Sequence, residues 1–150
     1  MNTTEADLDA RVRVTVYDET MRSGFPPSGE ILAAALGIRR DAVMGSLARL
    51  AAGKVLVLQD NGEILMANPY SAVPTPFVVQ FGDRTAYGNC IWDALGVLAM
   101  AGADGTISAS CGDCGTAMNL RVEAGVVHGD TGLVHFAIPA RSWWDDIVFN

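Results

Sequence analysis

Positive charge is in short supply in this chain. Ten Lys and Arg stand against seventeen Asp and Glu, a formal net charge of −7. That balance carries no general attraction for phosphate backbones or anionic lipid, so neither nucleic acid nor a membrane surface is an expected partner. Long apolar runs are missing too. None approaches the roughly 20 residues that a bilayer span needs, although half of the residues are apolar, ample for a packed core. Met1-Asn2-Thr3-Thr4-Glu5 lacks both the basic and the apolar stretch of a secretory leader. A cytoplasmic location is therefore expected, with the thiols reduced. The three cysteines are an odd number, which does not suit a disulfide framework. There is no phosphate-binding glycine loop, no nucleophile elbow and no H-E-x-x-H. Internal repeats and low-complexity tracts are also absent. A length of 150 residues allows one domain or two very small ones.

What remains is an ordered series of elements. Leu8, Val12, Thr15, Val16 and Met21 form an apolar stripe among charges, predicting a helix over 5–21. A loop with Gly24 and a Pro-Pro pair follows. Ser28 caps a second helix that Gly37 ends, and Asp41 starts a third that closes near Gly53. Lys54–Leu58 and Glu63–Ala67 flank Asp60-Asn61-Gly62, a strong hairpin signal. Helix, turn, helix, hairpin is a winged-helix-like pattern over 1–67. Its would-be recognition helix carries Asp41, Met44, Ser46 and Arg49, with Asp60 and Glu63 at the hairpin tip. A groove-reading face should be a basic stripe, and this one is mixed, so packing or dimerisation suits it better than DNA. Residues 68–76 hold three prolines, which forbid regular structure and predict an extended connector. The part over 77–150 reads as a hairpin (77–81 and 84–87), a central helix, then strands at 106–110, 117–122, 126–128 and 133–138. The fold class predicted is α+β: a helical N-terminal part followed by a mixed or antiparallel sheet with one central helix.

Chemistry concentrates at Tyr87-Gly88-Asn89-Cys90-Ile91-Trp92-Asp93-Ala94-Leu95. Asn89 is a good N-cap, which puts Cys90 at the first helical position and Asp93 one turn on, on the same face. The helix start favours a thiolate at Cys90. Burial on an otherwise apolar helix would keep a proton on Asp93. A low-pKa thiol beside a high-pKa acid is a division of labour that active sites use. The plainer alternative is a small core cysteine beside a helix-start charge.

Cys111-Gly112-Asp113-Cys114-Gly115 is a C-x-x-C turn between two strands. A structural zinc site needs four ligands, and a second C-x-x-C is missing. His128 and His135 complete one only if the fold brings them close. No thioredoxin-like strand and helix surround the pair. A ligand role fits best in company with Cys90, and a Gly-rich turn with incidental thiols is the other reading. His135 alternates with apolar neighbours on its strand, a pattern that suits a structural histidine better than one facing a cleft, and His128 adjoins an exposed turn. Trp143-Trp144-Asp145-Asp146 reads as a docking segment with aromatic anchors used for packing.

Taken together, these residues resemble the organomercurial (alkylmercury) lyase family over nearly the whole chain. The carriers are Asn-Pro-Tyr-Ser-Ala-Val-Pro-Thr-Pro-Phe at 68–77, the W/Y-x-x-C-x-x-D-x-L element at 87–95, the Ser110–Gly115 turn, and Val134–Pro139 with Trp143-Trp144. The resemblance implies that Cys90 captures mercury, a soft ion that prefers thiolates. Asp93 would take protons from incoming thiols and deliver one to the leaving carbon. It implies no organic cofactor, free thiols as co-substrate, and release of Hg(II) to them. One departure stands out. The resemblance implies a second active-site cysteine after the strand region near the C-terminus, and from Trp143 onward this sequence has none. Either the chain is truncated, or Cys111 or Cys114 supplies the second thiol, or carbon–mercury cleavage has been lost. A shortened end would expose a Trp-rich edge and favour a homodimer. The alternative function is a non-catalytic thiol-based binder or sensor of soft metals using Cys90, Cys111 and Cys114.

Overall fold

A computed structural model describes residues 4–129 and 132–147. Helix α1 (Glu5–Ser23) opens on a capping box, in which Thr4 and Asp7 satisfy each other's backbone N–H. It ends at Gly24, φ +90°, and a Cβ there would lie 2.3 Å from the Thr85 carbonyl oxygen, so only glycine fits. Helix α2 (Gly29–Leu36) is capped by the Ser28 hydroxyl and stopped by Gly37, as its sequence predicts. Helix α3 (Arg40–Ala52) starts one residue earlier than the Asp41 signal suggests, with no side-chain cap. The three helices enclose Val12, Val16, Leu32, Val43 and Leu47, all fully buried. Burying each such side chain contributes roughly 1.5–3 kcal/mol.

The predicted first hairpin is present but its first arm is short. Strand β1 is only Val57–Leu58, paired with β2 (Ile64–Ala67) across a bulge. The connector departs from expectation. Tyr70–Ser71 forms a third strand, β3, on β2, and Tyr70 is fully buried in a second core and bridges to Gly88. Prolines flank this strand without interrupting it: Pro69 follows a cis peptide bond, and Pro74 and Pro76 lie beyond it. Residues 68–76 therefore tie the two halves together and do not act as a free spacer.

The second half is antiparallel throughout its described strands, which resolves the mixed-or-antiparallel alternative. Strands β4 (Val78–Phe81), β5 (Arg84–Tyr87), β6 (Gly105–Ser110), β7 (Ala117–Glu123) and β8 (Val126–Gly129) lie in the order β5-β4-β6-β7-β8. Helix α4 (Ile91–Ala101) packs on one face through Ala94, Val97 and Leu98 against Val79, Phe81 and Ile107. The strand expected at 133–138 does not form. Those residues are irregular, with Val134 and Phe136 more than two-fifths exposed. Val134–Ile138 line a cavity described below and form no strand ladder. A 3-10 helix (Ala140–Asp145) follows and carries both Trp143 and Trp144. Arg84 donates to the Met21 carbonyl at 2.6 Å and Tyr17 to that of Asn68 at 3.2 Å, joining the halves. No described helix is long and apolar enough to cross a membrane.

Candidate active site

The site forms where β5 turns into α4. Gly88 makes the turn possible, since a Cβ there would sit 2.5 Å from the Ala94 nitrogen. Its N–H donates to Phe77 O at 3.0 Å, and its carbonyl accepts from the Thr75 hydroxyl at 2.6 Å. The helix then begins one residue later than expected. Cys90, not Asn89, is the N-cap, with extended backbone and its sulfur accepting from the Asp93 N–H at 3.4 Å. Asp93 lies in the first turn, and both side chains line one cavity of about 400 Å³.

The electrostatics agree with expectation at one group and reverse it at the other. Burial pushes the Asp93 carboxyl above the ordinary carboxylate range, against the opposing hydrogen bond from Asn89. The Cys90 thiol is also pushed up, first by burial and further by the neighbouring Asp93 charge, although the Asp93 N–H pulls the other way. The helix start therefore does not make Cys90 a ready thiolate. Both groups hold their protons more tightly than free side chains do.

Asn89 takes a different part from the cap expected of it. Its amide nitrogen lies 3.0 Å from Asp93 Oδ2, 3.0 Å from Asn68 Oδ1 and 3.4 Å from Pro69 O. It thus fixes the carboxyl against the connector. Its own Oδ1 is buried with no partner among the described residues, and Asn89 lines the cavity. Nothing in the one-dimensional pattern marks this residue beyond its place before Cys90.

Aromatic residues build part of the cavity wall. Phe136 meets Trp92 edge-on at 5.9 Å and Trp143 at 5.3 Å, both within the attractive range for ring pairs. Trp143 also donates its indole N–H to Ile138 O at 3.2 Å. Trp143 is thus part of the cavity lining, while Trp144 lies under Lys54, 6.0 Å from ring centre to Nζ. His135 lines the same cavity and is exposed, so it is not the packed structural histidine its alternation suggests. His128 is exposed on β8, away from this cavity, as its neighbouring turn implies.

Cys111 and Cys114 do not line the cavity; they sit at the tip of the β6–β7 hairpin. Among the described residues no group of three or more His, Cys, Asp and Glu could hold a metal. The three cysteines therefore do not make one shared metal centre.

A thiol and a carboxyl whose pKa burial raises, one turn apart and facing an aromatic-walled cavity on an α+β scaffold, define a thiol–acid site. The chain belongs to the alkylmercury lyase (MerB) family, whose model matches residues 70–149, more than half of its length. Among solved structures, the mercury-bound form of MerB2 shares the fold at a TM-score of 0.64 and 22% identity, over 80% of this chain. The chain spans 58% of that protein's length. Among curated proteins, none matches.

Proposed function

We propose that this protein cleaves carbon–mercury bonds by protonolysis, with Cys90 as the metal-capturing thiol and Asp93 as the proton carrier. The observation that supports this most is the shared opening of the two side chains into one cavity, together with burial that raises the affinity of Asp93 for a proton. Capture begins as Cys90 exchanges its S–H bond for an S–Hg bond on R–Hg–X, its proton leaving with X. Electron donation from sulfur enriches the carbon attached to mercury. The Hg–C bond then breaks with its electron pair on carbon, and Asp93 supplies the proton that completes R–H. A thiol from solution ligates the mercury and restores the Asp93 proton. The sum is R–Hg–X plus Cys90–SH plus R′SH giving R–H, HX and Cys90–S–Hg–SR′. Further free thiols then carry Hg(II) away. No organic cofactor enters this scheme.

The raised Cys90 pKa suits the order of events. A thiol that stays protonated until mercury arrives is less exposed to oxidation, and the soft metal itself displaces the proton. Trp92, Phe136 and Trp143 give the organic group of the substrate an apolar wall to rest on. The N-terminal helices with the β1–β2 hairpin are a winged-helix-like unit used for packing. The arginines on and beside its third helix face carboxylates: Arg49 with Asp9 at 2.7 Å, Arg40 with Glu63 at 2.7 Å, Arg39 with Asp41 at 2.6 Å. That pairing offsets the positive charge that a recognition helix would offer a phosphate backbone. The cytoplasm, where free thiols are abundant, is the compartment in which this chemistry would turn over.

The test is anaerobic incubation with phenylmercury and excess thiol, with benzene followed in the headspace. Release by the wild type and not by Cys90→Ser is expected; equal output from both would reject the proposal.

A further inference from the structure

The hairpin tip between β6 and β7 carries the other two thiols. Ser110 pairs with Ala117, so residues 111–116 form the turn. The Cys111 N–H donates to Thr116 O at 2.8 Å and the Gly115 N–H to Cys111 O at 2.9 Å, with Gly115 at φ +72°. This fold-back sets the Cys114 sulfur 3.1 Å from the Thr116 hydroxyl. Hydrogen bonds from Thr116 first, and from the Cys111 thiol as well, hold Cys114 below the usual thiol range. Cys114 is exposed and Cys111 half-buried, and both are free of disulfides.

Two adjoining thiols without further ligands select strongly among cations. Zinc in a structural site requires four donors, and the described residues around the turn supply no third. Closed-shell soft ions such as Hg(II) and Cu(I) are satisfied by two thiolates in a line, and thiolate is the donor they favour. We propose that Cys111 and Cys114 form a second site, a two-thiolate clasp for a soft linear cation, separate from the Cys90 cavity. The inference does not depend on the protonolysis reading. Loading is a simple exchange: two S–H bonds break, two S–metal bonds form, two protons leave, and nothing is oxidised or reduced.

The experiment loads the reduced full chain carrying Cys90→Ser with one equivalent of HgCl2 without oxygen, then dialyses it against excess monothiol. A second sulfur recaptures the ion before it escapes, so a clasp resists a competitor that strips a single thiolate. One mercury retained per chain is expected, with sulfur-to-mercury charge-transfer absorbance. Adding Cys111→Ser or Cys114→Ser should lower retention by at least about tenfold. Equal retention in those variants, no retention in Cys90→Ser alone, or Zn(II) held as firmly as Hg(II) would overturn the clasp. Helical circular dichroism reports the fold of each variant. Should Cys90→Ser not fold, the native chain gives the answer by mass spectrometry after alkylation. Protection of Cys111 and Cys114 together by mercury supports the clasp, and their modification at the unloaded rate rejects it. Because HgCl2 has no carbon–mercury bond, failure here is distinct from failure of the lyase chemistry.

Discussion

Cys90 and Cys114 leave the sheet at the same end and live in opposite surroundings. Val78 at the start of β4 pairs with both Tyr87 and Ser108. The chain running on from β5 to Cys90 and the chain running on from β6 to Cys111 therefore emerge at the same end of the sheet, on either side of β4. Cys90 then enters a helix cap, half-buried, with a carboxyl for a neighbour, and its thiol is pushed up. Cys114 stays on an exposed turn beside a hydroxyl, and its thiol is pulled down. A thiol that must cooperate with an acid keeps its proton until a substrate displaces it. A thiol that only has to grip an ion is better deprotonated early. One end of one sheet thus holds thiols in two kinds of surroundings, distinguished by depth and neighbours.

The sharpest way to break this contrast is by substitution. Cys90→Ser should lower hydrocarbon release from phenylmercury on the order of 10³-fold or more, since removing a covalent nucleophile removes the route itself. Cys111→Ser with Cys114→Ser should leave that rate unchanged when free thiol is in excess. A matching loss in the double variant would merge the two places into one machine.

Asp93→Asn comes next. An amide cannot carry the proton, so a loss of about 10²–10⁴-fold is expected, the usual worth of a positioned acid or base. Headspace chromatography measures it, and normal mercury capture by the variant, read by mass spectrometry, would show that only proton delivery has gone.

Alkylation separates the thiols more gently. At neutral pH iodoacetamide should label Cys114 before Cys90, roughly tenfold faster for each unit by which their pKa values differ. Peptide mapping over a time course checks the order. In Asp93→Asn the gap should narrow, because one of the influences raising the Cys90 pKa is removed.

The smallest effect is on stability. Asp93 has a higher pKa folded than unfolded, so the folded chain holds its proton more tightly. Stability from this group is therefore fully present below the unfolded value of about 4 and declines as pH rises towards the folded value. Asp93→Asn should raise Tm at pH 7 by a few degrees relative to wild type, a gain that shrinks towards pH 4. Calorimetry at the two pH values checks it, and a larger gain at the acid end would reverse the sign assigned to burial.

How far the sequence discloses this arrangement depends on the reach of each interaction. Helix and strand order follow from local signals. Ser28, Gly37 and the Asp60-Asn61-Gly62 turn act within a few residues, and all three behave accordingly. The three-residue step from Cys90 to Asp93 is equally local, and the two meet at one cavity. The direction of the Cys90 pKa is not local. It depends on how much protein covers the sulfur, which the spacing of residues cannot reveal. The cavity wall is also invisible in one dimension: the apolar alternation at 133–138 imitates a strand. Only the approach of Trp92 from α4 and Trp143 from the 3-10 helix explains Phe136. Asn89 is misjudged for a similar reason, because its partners Asn68 and Pro69 come from a distant segment.

The burial of Tyr70 sets a practical limit on dissecting this molecule. Residues 68–76 look like the natural place to cut the gene, yet Tyr70 fills the second core while Ser71 pairs with Met66 in the first sheet. A fragment starting at 77 would carry an unfilled hole beneath α4, and one ending at 67 would present an unpaired strand edge prone to aggregation. Truncation studies and chimeras will behave well only if both pieces travel together with the prolines between them.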